Sequence, residues 1–509
     1  MALVGCSSST TEPPTAAPPA GAPPSVRYLG PERLTHAVEL RAAAKPSSGR
    51  VVAATFLLDG KPLGSDTTPP FKLDVEPALL PRGEHKIRVE AVDNLGRRAI
   101  SSAESLTVAP SGSDVLEARP GASFERAREE LRRGDVTVRL APGRYEVDQL
   151  RLGSGARLVG SGASTVIAPK PGARYWALLV ARGERIRISD LTVDGGGPKP
   201  NTEREGIAIA VFDGSRDVRL QRLRIVRIRT HGVNVWGAHS DVSVQDSELT
   251  SDGNAQAAVF SLGSDRSRDT SAIRNRIRGF RSYGILLGQK EFGRPAAALH
   301  GLALDNDLRD IRDPARDGCV YDTRSTPGCG TNEGGIWTGG VEAAIIGNRV
   351  VRARWDGIET VGSSTRTTIV RNVIRDTRVG IYVEHSTNNS VISRNVIADA
   401  QAGVNVEWRH EGQGSSRNTF TYNRFVHMSG AGLFVDVGGD RNVIVGNVFV
   451  GGARPAITLQ GSSGNVVKGN VACRSDGALV ALQSARWDDG RRAISRGNRV
   501  NANKIGETC

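Results

Sequence analysis

Five segments between Gly335 and Asp436 share one pattern, in which a glycine leads a short strand of alternating apolar and non-apolar residues. They are Gly335-Ile-Trp-Thr, Gly357-Ile-Glu-Thr-Val, Gly380-Ile-Tyr-Val-Glu, Gly403-Val-Asn-Val-Glu and Gly432-Leu-Phe-Val-Asp, and a sixth, Ala456-Ile-Thr-Leu-Gln, lacks only the glycine. Alternation with a period of two is typical of a strand with one buried face. The segments therefore predict a series of equivalent strands.

A second unit recurs between these strands, an asparagine followed by a short apolar or β-branched run. The asparagines that begin it are Asn348, Asn372, Asn395, Asn423, Asn447, Asn470 and Asn498. Their spacings of 24, 23, 28, 24, 23 and 28 residues are a period that marks a solenoid. A repeat of this length holds about three short strands and no amphipathic helix, which predicts one rung of a parallel β-helix. We expect each asparagine to occupy a bend in the left-handed conformation and to hydrogen-bond from rung to rung.

The repeats resemble the right-handed parallel β-helix superfamily of pectate-lyase-like proteins. The resemblance covers residues 118–509 and implies an all-β domain with three strands in each rung. It implies no single reaction, because the superfamily includes lyases, hydrolases, epimerases and binding proteins. Ala122–Arg133 is the one segment with a helical pattern, with Ser123 as its cap and Phe124, Ala127 and Leu131 on one face. We expect this helix to cover the N-terminal end of the apolar core.

Residues 28–110 resemble a bacterial immunoglobulin-like domain, which implies a small β-sandwich that spaces or attaches. The resemblance rests on Phe56-Leu-Leu-Asp-Gly-Lys, Thr68-Pro-Pro-Phe-Lys-Leu and Gly83-Glu-His-Lys-Ile-Arg-Val-Glu-Ala-Val-Asp. Val51–Leu58 and Lys86–Val92 are its predicted strands, each followed by turn residues. We expect His85 on an exposed strand face.

Residues 1–27 begin with Leu3-Val4-Gly5-Cys6, which resembles a bacterial lipobox with Cys6 as the lipidated residue. The charged and apolar regions that precede a lipobox are missing, so a late start codon and a chance match both stay open. The residues that follow are rich in Ser, Thr, Pro and Ala, as in a flexible tether. We therefore expect an exported bacterial protein, either a lipoprotein anchored to the cell envelope or a secreted protein.

The composition and charge of the chain indicate which binding partners can be expected. The chain has 60 glycines, 5% aromatic residues and a net charge of +13, with arginine far more frequent than lysine. A basic surface could favour a uronate polysaccharide, nucleic acid or an anionic cell surface, and a compositional bias toward arginine is the alternative. No cluster of basic residues with interleaved aromatics is present, so no nucleic-acid partner is expected. We expect a monomer.

The cysteines suggest disulfides rather than a metal site. In an exported protein, Cys319 would pair with Cys329 and Cys473 with Cys509. No pair of cysteines has the spacing of a metal site.

The candidate site lies on the outer face of the glycine-led strands. The second position after each glycine points outward, and the residues there are Trp337, Glu359, Tyr382, Asn405 and Phe434. The fourth position points outward too, and it holds Glu384, Glu407 and Asp436 on successive rungs. Such carboxylates would lie about 5 Å apart, where like charges oppose folding. A bound divalent cation such as calcium, a shared proton or a nearby arginine would offset the repulsion.

Three functions remain open for this column of acids. A hydrolase would use Glu384, Glu407 and Asp436 as general acid, base or nucleophile, with assistance from Glu359 and His385. A lyase or epimerase would neutralise a uronate carboxylate with a cation and abstract a proton with His385, Tyr382 or Arg409. A binding protein would stack sugars on its aromatic residues without chemistry. The groups expected to hold a sugar are Trp337, Tyr382, Asn405, Trp408, Arg409 and Phe434.

A structural alternative also exists, in which the acids form a solvated ladder paired with Arg378, Arg409 and Arg424. We favour an enzyme acting on a uronate-containing polysaccharide, by lyase or glycoside-hydrolase chemistry, over a non-catalytic binding protein or adhesin. A second patch of Asn234, Trp236 and His239 is either a remote sugar subsite or plain surface.

Overall fold

Three long parallel sheets carry most of the chain and confirm the predicted right-handed parallel β-helix. The computed structural model describes residues 21–112, 115–197, 205–253, 255–263, 267–289, 300–312, 334–407, 414–452, 455–473, 478–487 and 489–506. Each rung contributes one strand to each sheet, and equivalent strands of successive rungs pair in parallel. Only the last pair of sheet C is antiparallel among the described strands of the three sheets.

The strands of the three sheets follow the same order as the rungs. Sheet A has 15 strands: Val115–Ala118, Thr137–Leu140, Arg157–Val159, Glu184–Ser189, Arg216–Gln221, Ser240–Gln245, Thr270–Ile273, His300–Leu304, Glu342–Ile346, Thr368–Val370, Val391–Ser393, Thr419–Thr421, Val443–Val445, Val466–Lys468 and Arg499–Asn501. Sheet B has 14: Gly143–Val147, Thr165–Pro169, Thr192–Asp194, Arg224–Val226, Glu248–Thr250, Arg276–Arg278, Asp307–Ile311, Arg349–Ala353, Val373–Arg375, Val396–Ala398, Arg424–Met428, Val448–Gly452, Val471–Cys473 and Lys504–Gly506. Sheet C has 14: Leu150–Leu152, Ala177–Ala181, Ile207–Val211, His231–Gly237, Ala257–Gly263, Tyr283–Gln289, Gly334–Gly339, Asp356–Val361, Val379–Val383, Ala402–Val406, Leu433–Val435, Ile457–Gln460, Val480–Arg486 and Arg492–Ile494.

The leading glycines of sheet C make room for the core residues of sheet B. A Cβ on Gly357 would lie 2.4 Å from Ile374, and one on Gly380 would lie 2.4 Å from Ile397. Both isoleucines are fully buried and belong to the main core. The two repeating motifs are therefore coupled, because the apolar residue two places after each asparagine packs against the glycine that precedes that asparagine in the sequence.

Six of the seven predicted asparagines, from Asn348 to Asn470, form a continuous buried ladder. The prediction is wrong for Asn498, which accepts from Asn465 in a second column, and Asn503 follows Asn470 instead. The amide of Asn372 donates to Oδ1 of Asn395 from both its backbone nitrogen and Nδ2, each at 3.0 Å. Asn395 repeats this arrangement toward Asn423 at 3.0 and 2.9 Å. The predicted left-handed conformation is wrong for the asparagine itself, since it belongs to the residue before, such as Arg371 or Arg394. The bend lies one position earlier, which frees the asparagine side chain to point inward.

The predicted helix is present as α1, Ala122–Arg133. Its buried residues are Phe124, Ala127 and Leu131, as expected, and they join the core at the N-terminal end of the β-helix. The prediction that Ser123 caps the helix is wrong, because the cap position is Gly121 and carries no side-chain hydrogen bond. Ser123 instead bonds to the backbone of Arg119. Two short 3₁₀ helices, Pro77–Leu79 and Gly162–Ser164, complete the helical segments of the described residues.

Two small sheets form the N-terminal domain. One contains Ser25–Tyr28, Val38–Lys45 and Phe71–Val75, and the other contains Arg33–Leu34, Glu104–Val108, Gly83–Asp93, Val51–Leu58, Lys61–Asp66 and Arg98–Ile100. They share one apolar core, which includes Phe56 and Phe71. His85 does not lie on an exposed face as expected: its side chain is 10% exposed and bonds to Asp59 at 2.7 Å.

The N-terminal domain lies against the outer face of sheet A rather than apart from the β-helix. Val52 and Val92 pack with Leu304, Ile346 and other apolar residues of sheet A in one buried cluster. Polar contacts frame this cluster, including two hydrogen bonds of 2.8 Å between the backbone of Ser65 and the side chain of Gln245. The domain is therefore an integral part of the molecule.

Some predicted residues lie outside the described part of the chain. These are Cys6, Cys319, Cys329, Trp408, Arg409 and Cys509. Cys473 is disulfide-bonded, and its pairing with Cys509 stays a prediction. Among the described helices, none is long and apolar enough to cross a membrane.

Candidate functional site

The register of sheet C brings the predicted outward residues into line. Trp337 pairs with Glu359, Glu359 with Tyr382, and Tyr382 with Asn405. Phe434 and Thr458 continue this first column. Period-two alternation along each strand was sufficient to predict it.

The acids of the second column also lie on successive rungs. The backbone amide of Glu384 donates to Thr360, that of Glu407 to Val383 and that of Asp436 to Val406, at 2.9, 3.3 and 2.8 Å. Glu384 is 8% exposed and Asp436 is fully buried, while Glu407 is half-buried. This burial argues against a solvated ladder.

Three carboxyl groups form what we call the acidic cluster: Asp356, Glu359 and Glu384. Their residues are 6%, 2% and 8% exposed. Burial, and then the charge of Glu384, raise the pKa of Asp356 to about 8. Burial likewise raises the pKa of Glu359 well above its usual range, and Asp356 and Glu384 add to the rise. Two members of the cluster are therefore mainly protonated at neutral pH.

Glu359 and Glu384 interact directly, since a hydrogen bond between their side chains is one cause of the raised pKa of Glu359. A hydrogen bond between two carboxyl groups needs a proton on one of them, and the raised pKa of Glu359 identifies Glu359 as the group that holds it. Oε2 of Glu359 is buried and has no hydrogen-bond partner among the described residues. The cluster thus keeps a polar atom available for a ligand.

Trp337 pairs in register with Glu359, and its indole lowers the pKa of that carboxyl, although less than burial and the neighbouring acids raise it. Two glycines make this position accessible. A Cβ on Gly339 would lie 2.2 Å from the Trp337 ring, and one on Gly288 would lie 2.7 Å away. The ring is 3% exposed and packs with Leu286 and Val361.

A guanidinium limits the negative charge on the other side of the cluster. Arg378 lowers the pKa of Asp356, although less than burial raises it. The same guanidinium stacks on the Trp355 ring at 4.9 Å. Stacking fixes the position of the guanidinium next to the carboxyl group.

His385 contacts Glu384, with Nδ1 3.2 Å from Oε1. His385 and Ser386 both have the left-handed conformation, with φ of 49° and 61°. This turn directs the imidazole back toward the preceding glutamate. From the sequence, His385 and Glu384 are expected close together only because they are adjacent in the chain.

Glu407 and Asp436 lie farther along the column. Nδ2 of Asn405 donates to Oε2 of Glu407 at 2.8 Å. No three His, Cys, Asp or Glu side chains of the described residues converge into a group that could hold a metal ion. The cation expected at Glu384, Glu407 and Asp436 is not supported by such a group among the described residues, and it stays a prediction.

Sequence analysis did not assign Asp356 to the site. Strict alternation from Ile358 would point Asp356 inward. The alternation breaks, however, because Gly357 and Ile358 both face the core. Gly357 lies within this strand, where a glycine permits such a break, but the sequence does not show that the break occurs.

The second patch is only partly exposed. Trp236 is 39% exposed and lies in the second column, on the same outer face as Glu384 but several rungs toward the N-terminus. Asn234 is buried in the first column, in register with Phe260. His239 is bonded to Thr270 at 2.8 Å and to the backbone of Gly237, so it is held within the structure. Trp236 alone of the three can stack on a ligand.

The fold and the site together define a right-handed parallel β-helix protein with buried carboxyl groups on the outer face of one sheet. A family model described as periplasmic copper-binding protein (NosD) matches residues 341–508, about a third of the chain. No curated protein matches the sequence.

Solved structures resemble parts or most of the chain. The family 28 exopolygalacturonase of Yersinia enterocolitica is 12% identical with a TM-score of 0.45, over 96% of this chain and 100% of that one. A tailspike protein of E. coli bacteriophage HK620 is 14% identical with a TM-score of 0.44, over 72% and 78%. Fibronectin(III)-like modules of Clostridium thermocellum CbhA are 26% identical with a TM-score of 0.15; the match covers 17% of this chain and 47% of that one, so this chain spans about half of that length.

Among the described residues that the family model matches, no three His, Cys, Asp or Glu side chains form a group that could hold copper. Imidazole and sulfur are the ligands that copper favours. Within residues 341–508 these are His385, His410, His427, Met428 and Cys473. Met428 is buried in the core and Cys473 is in a disulfide, and His427 pairs with Asp399 on the surface. No copper chemistry is derived for this chain.

Proposed function

We propose that the chain is an exported enzyme that cleaves a polysaccharide at the acidic cluster, by glycoside-hydrolase or lyase chemistry. One observation carries the proposal: three carboxyl groups are buried together on an outward face, and the pKa of two of them is raised. Carboxyl groups whose environments differ in this way are the usual general acids and bases of an active site.

The roles of the carboxyl groups in the acidic cluster follow from the raised pKa of two of them. Asp356 and Glu359 hold protons at neutral pH and can donate one to a leaving oxygen. Glu384 lies beside both groups, and its interaction with them raises their pKa further. His385 lies next to Glu384. His385 would take up or return the proton.

The spacing constrains a hydrolytic mechanism. Acid and base of a glycosidase are separated by about 5–5.5 Å or about 6.5–9.5 Å to fit the sugar between them. Glu359 and Glu384 are in hydrogen-bond contact, which is too close. We therefore assign these two as one proton-sharing unit, and Glu407, on the next rung, as the group across the glycosidic bond.

A lyase would use the same cluster differently. The protonated carboxyl groups would donate hydrogen bonds to a uronate carboxylate and so acidify the C5 proton, which His385 or Tyr382 would remove. The C4–C5 double bond would then form as the C4–O4 bond breaks, and a protonated carboxyl group would give its proton to the leaving oxygen. A cation at the acid column would supply the same neutralisation. An unsaturated product end is specific to this reaction and absent from hydrolysis.

Sugar binding is assigned to the residues beside the cluster. Tyr382, Asn405 and Phe434 are half-buried on the first column and would contact successive sugar units, while Trp337 would contact the sugar next to Glu359. Trp408 and Arg409 stay proposed contacts. Cys6 is the proposed lipid anchor.

The test is a glycan array followed by mass analysis of the products. With a substrate of the parent protein in hand, Glu359→Gln and Glu384→Gln should each lower turnover by about 10²–10⁴-fold, since general acid–base groups contribute that much. Glu248→Gln is the matched control, because Glu248 is an exposed acid on sheet B. Parent-like turnover by both cluster variants would exclude the cluster as the site.

A non-catalytic polysaccharide-binding protein is the second candidate. The half-buried Tyr382 and Phe434 favour it, since aromatic stacking on sugars needs no acid. In that case Tyr382→Ala and Phe434→Ala should weaken binding, Glu384→Gln should not, and no product should form.

A further inference from the structure

A cavity of about 140 Å³ separates the N-terminal sandwich from sheet A of the β-helix. Arg157, Arg187 and Arg219 line it from the β-helix, while Asp74 and Glu76 line it from the sandwich. The volume is enough for several water molecules or for one small ion with part of its hydration. It lies on a different sheet from the acidic cluster and is independent of the function proposed above.

The three arginines occupy the same register position on successive rungs. Arg157 pairs with Arg187, and Arg187 pairs with Arg219. Neighbouring strands are about 4.8 Å apart. Like charges directly opposite in a sheet are destabilising, so this arginine column needs compensation.

Carboxylates offset part of the positive charge of the arginine column. Nη2 of Arg187 bonds to Asp74 at 2.8 Å and to Asp217 at 2.6 Å. Nε of Arg219 lies 3.4 Å from the same Asp217. Arg222, at the edge of the cavity, has its guanidinium occupied by both oxygens of Asp190.

Several donors in the arginine column are still unused. Nη1 of Arg219 is buried without a hydrogen-bond partner, in a residue that is 8% exposed. Nε of Arg187 is buried without a partner as well. Among the described residues, Arg157 makes no ion pair and no side-chain hydrogen bond. Burial, followed by the charge of Arg187, lowers the pKa of Arg157 and of Arg219.

We propose that this cavity binds a small tetrahedral oxyanion, sulfate or phosphate, through Arg157, Arg187 and Arg219. Guanidinium groups donate only and accept nothing, so the ligand must supply acceptors. A tetrahedral oxyanion has four acceptor oxygens and a negative charge that offsets the column. The oxyanion is either free in solution or part of a sulfated sugar.

Arg157 is the informative residue because removing its side chain breaks no hydrogen bond or ion pair among the described residues. Calorimetric titration of the full-length chain with sodium sulfate, at ionic strength held constant with chloride, should show saturable binding. Arg157→Ala should weaken that binding by about 10–150-fold, the equivalent of one charged hydrogen-bonding group. Arg157→Lys keeps the charge and should lose less.

Arg185→Ala is the matched control, because Arg185 is a surface arginine of the same sheet that pairs with Asp135. It should bind sulfate like the parent. Circular dichroism without sulfate should show Arg157→Ala folded like the parent. Parallel titrations with phosphate and with a sulfated monosaccharide identify the source: tighter binding of the sulfated sugar assigns a sugar-borne group, and tighter binding of the inorganic ions assigns a free anion. No saturable binding of any of them, or equal binding by Arg157→Ala and Arg185→Ala, would overturn the proposal.

Discussion

At the scale of single residues, the acidic cluster shows how burial changes what a carboxyl group can do. Asp356, Glu359 and Glu384 are all buried, so little water reaches their carboxyl groups. Desolvation is the largest cause of the raised pKa of Asp356 and Glu359, and mutual repulsion is the next. This cluster makes folding more costly at high pH and lies beside Trp337 and Tyr382, the proposed sugar contacts, which fits the proposed catalytic use.

The raised pKa of Asp356 gives a pH dependence of stability. In the unfolded chain an aspartate titrates near 3.9, and in the native protein Asp356 titrates at about 8. The native state therefore binds more protons between these values, so this group makes stability fall as pH rises from about 4 to about 8. Asp356→Asn removes this pH dependence. The free energy of unfolding of the variant, relative to that of the parent, should increase by on the order of a few kcal/mol from about pH 4 to about pH 8.

Urea unfolding at pH 5, 7 and 9 measures this difference. The gain should be smallest at pH 5 and largest at pH 9. A difference between variant and parent that does not change with pH would show that Asp356 is already ionised in the native state.

At the scale of elements, the asparagine ladder and the leading glycines hold the rungs together. Each ladder asparagine accepts two hydrogen bonds from the preceding rung and also donates to a backbone carbonyl, as Asn395 does to Ile369 at 2.8 Å. These groups are fully buried and cannot hydrogen-bond to water, so each depends on its partner in the ladder. The ladder fixes the register that aligns the two outward columns of sheet C.

Removing the side chain of one ladder asparagine should therefore lower the free energy of unfolding. Asn395→Ala leaves the backbone and side-chain donors of Asn372 without their acceptor, and an unsatisfied buried group costs about 1–3 kcal/mol. We expect a loss of at least about 2 kcal/mol in the free energy of unfolding, measured in urea. Asn501→Ala, at an exposed position of the last strand of sheet A, should change it by less than about 0.5 kcal/mol. An equal loss in both variants would contradict a special role for the ladder.

At the scale of the whole molecule, charges and apolar surfaces join the sandwich to the β-helix. Nη2 of Arg98 donates to both oxygens of Asp305 at 2.7 Å. On the β-helix itself, Arg222 donates from Nε and Nη2 to the two oxygens of Asp190. Many arginines are thus paired with aspartates of neighbouring elements. The net charge of +13 does not by itself make a surface for an anionic polymer.

The apolar contact between the domains should contribute measurably to stability. Ile346 lies on the outer face of sheet A, fully buried under the sandwich. Ile346→Ala should lower the free energy of unfolding by about 2–5 kcal/mol, as for other buried isoleucines. Val445→Ala is the control on the same sheet, where the side chain is half-exposed, and should lose less. Denaturant unfolding in which both variants lose the same amount would indicate that the sandwich does not shield this face.

The sequence by itself determined the β-helix, its rung length, the capping helix and the two outward columns, because these depend on periodicity within short segments. Trp337, Glu359, Tyr382 and Asn405 could be aligned by counting, since parallel strands of equal rungs pair in register. Only the tertiary structure added Asp356 to the acidic cluster, because a break in alternation at Gly357 turns its side chain outward. Only the tertiary structure, too, placed the sandwich on sheet A and so enclosed the arginine column. Both depend on contacts between segments that no local pattern encodes, and on burial, which decides whether a charged group is solvated or held protonated.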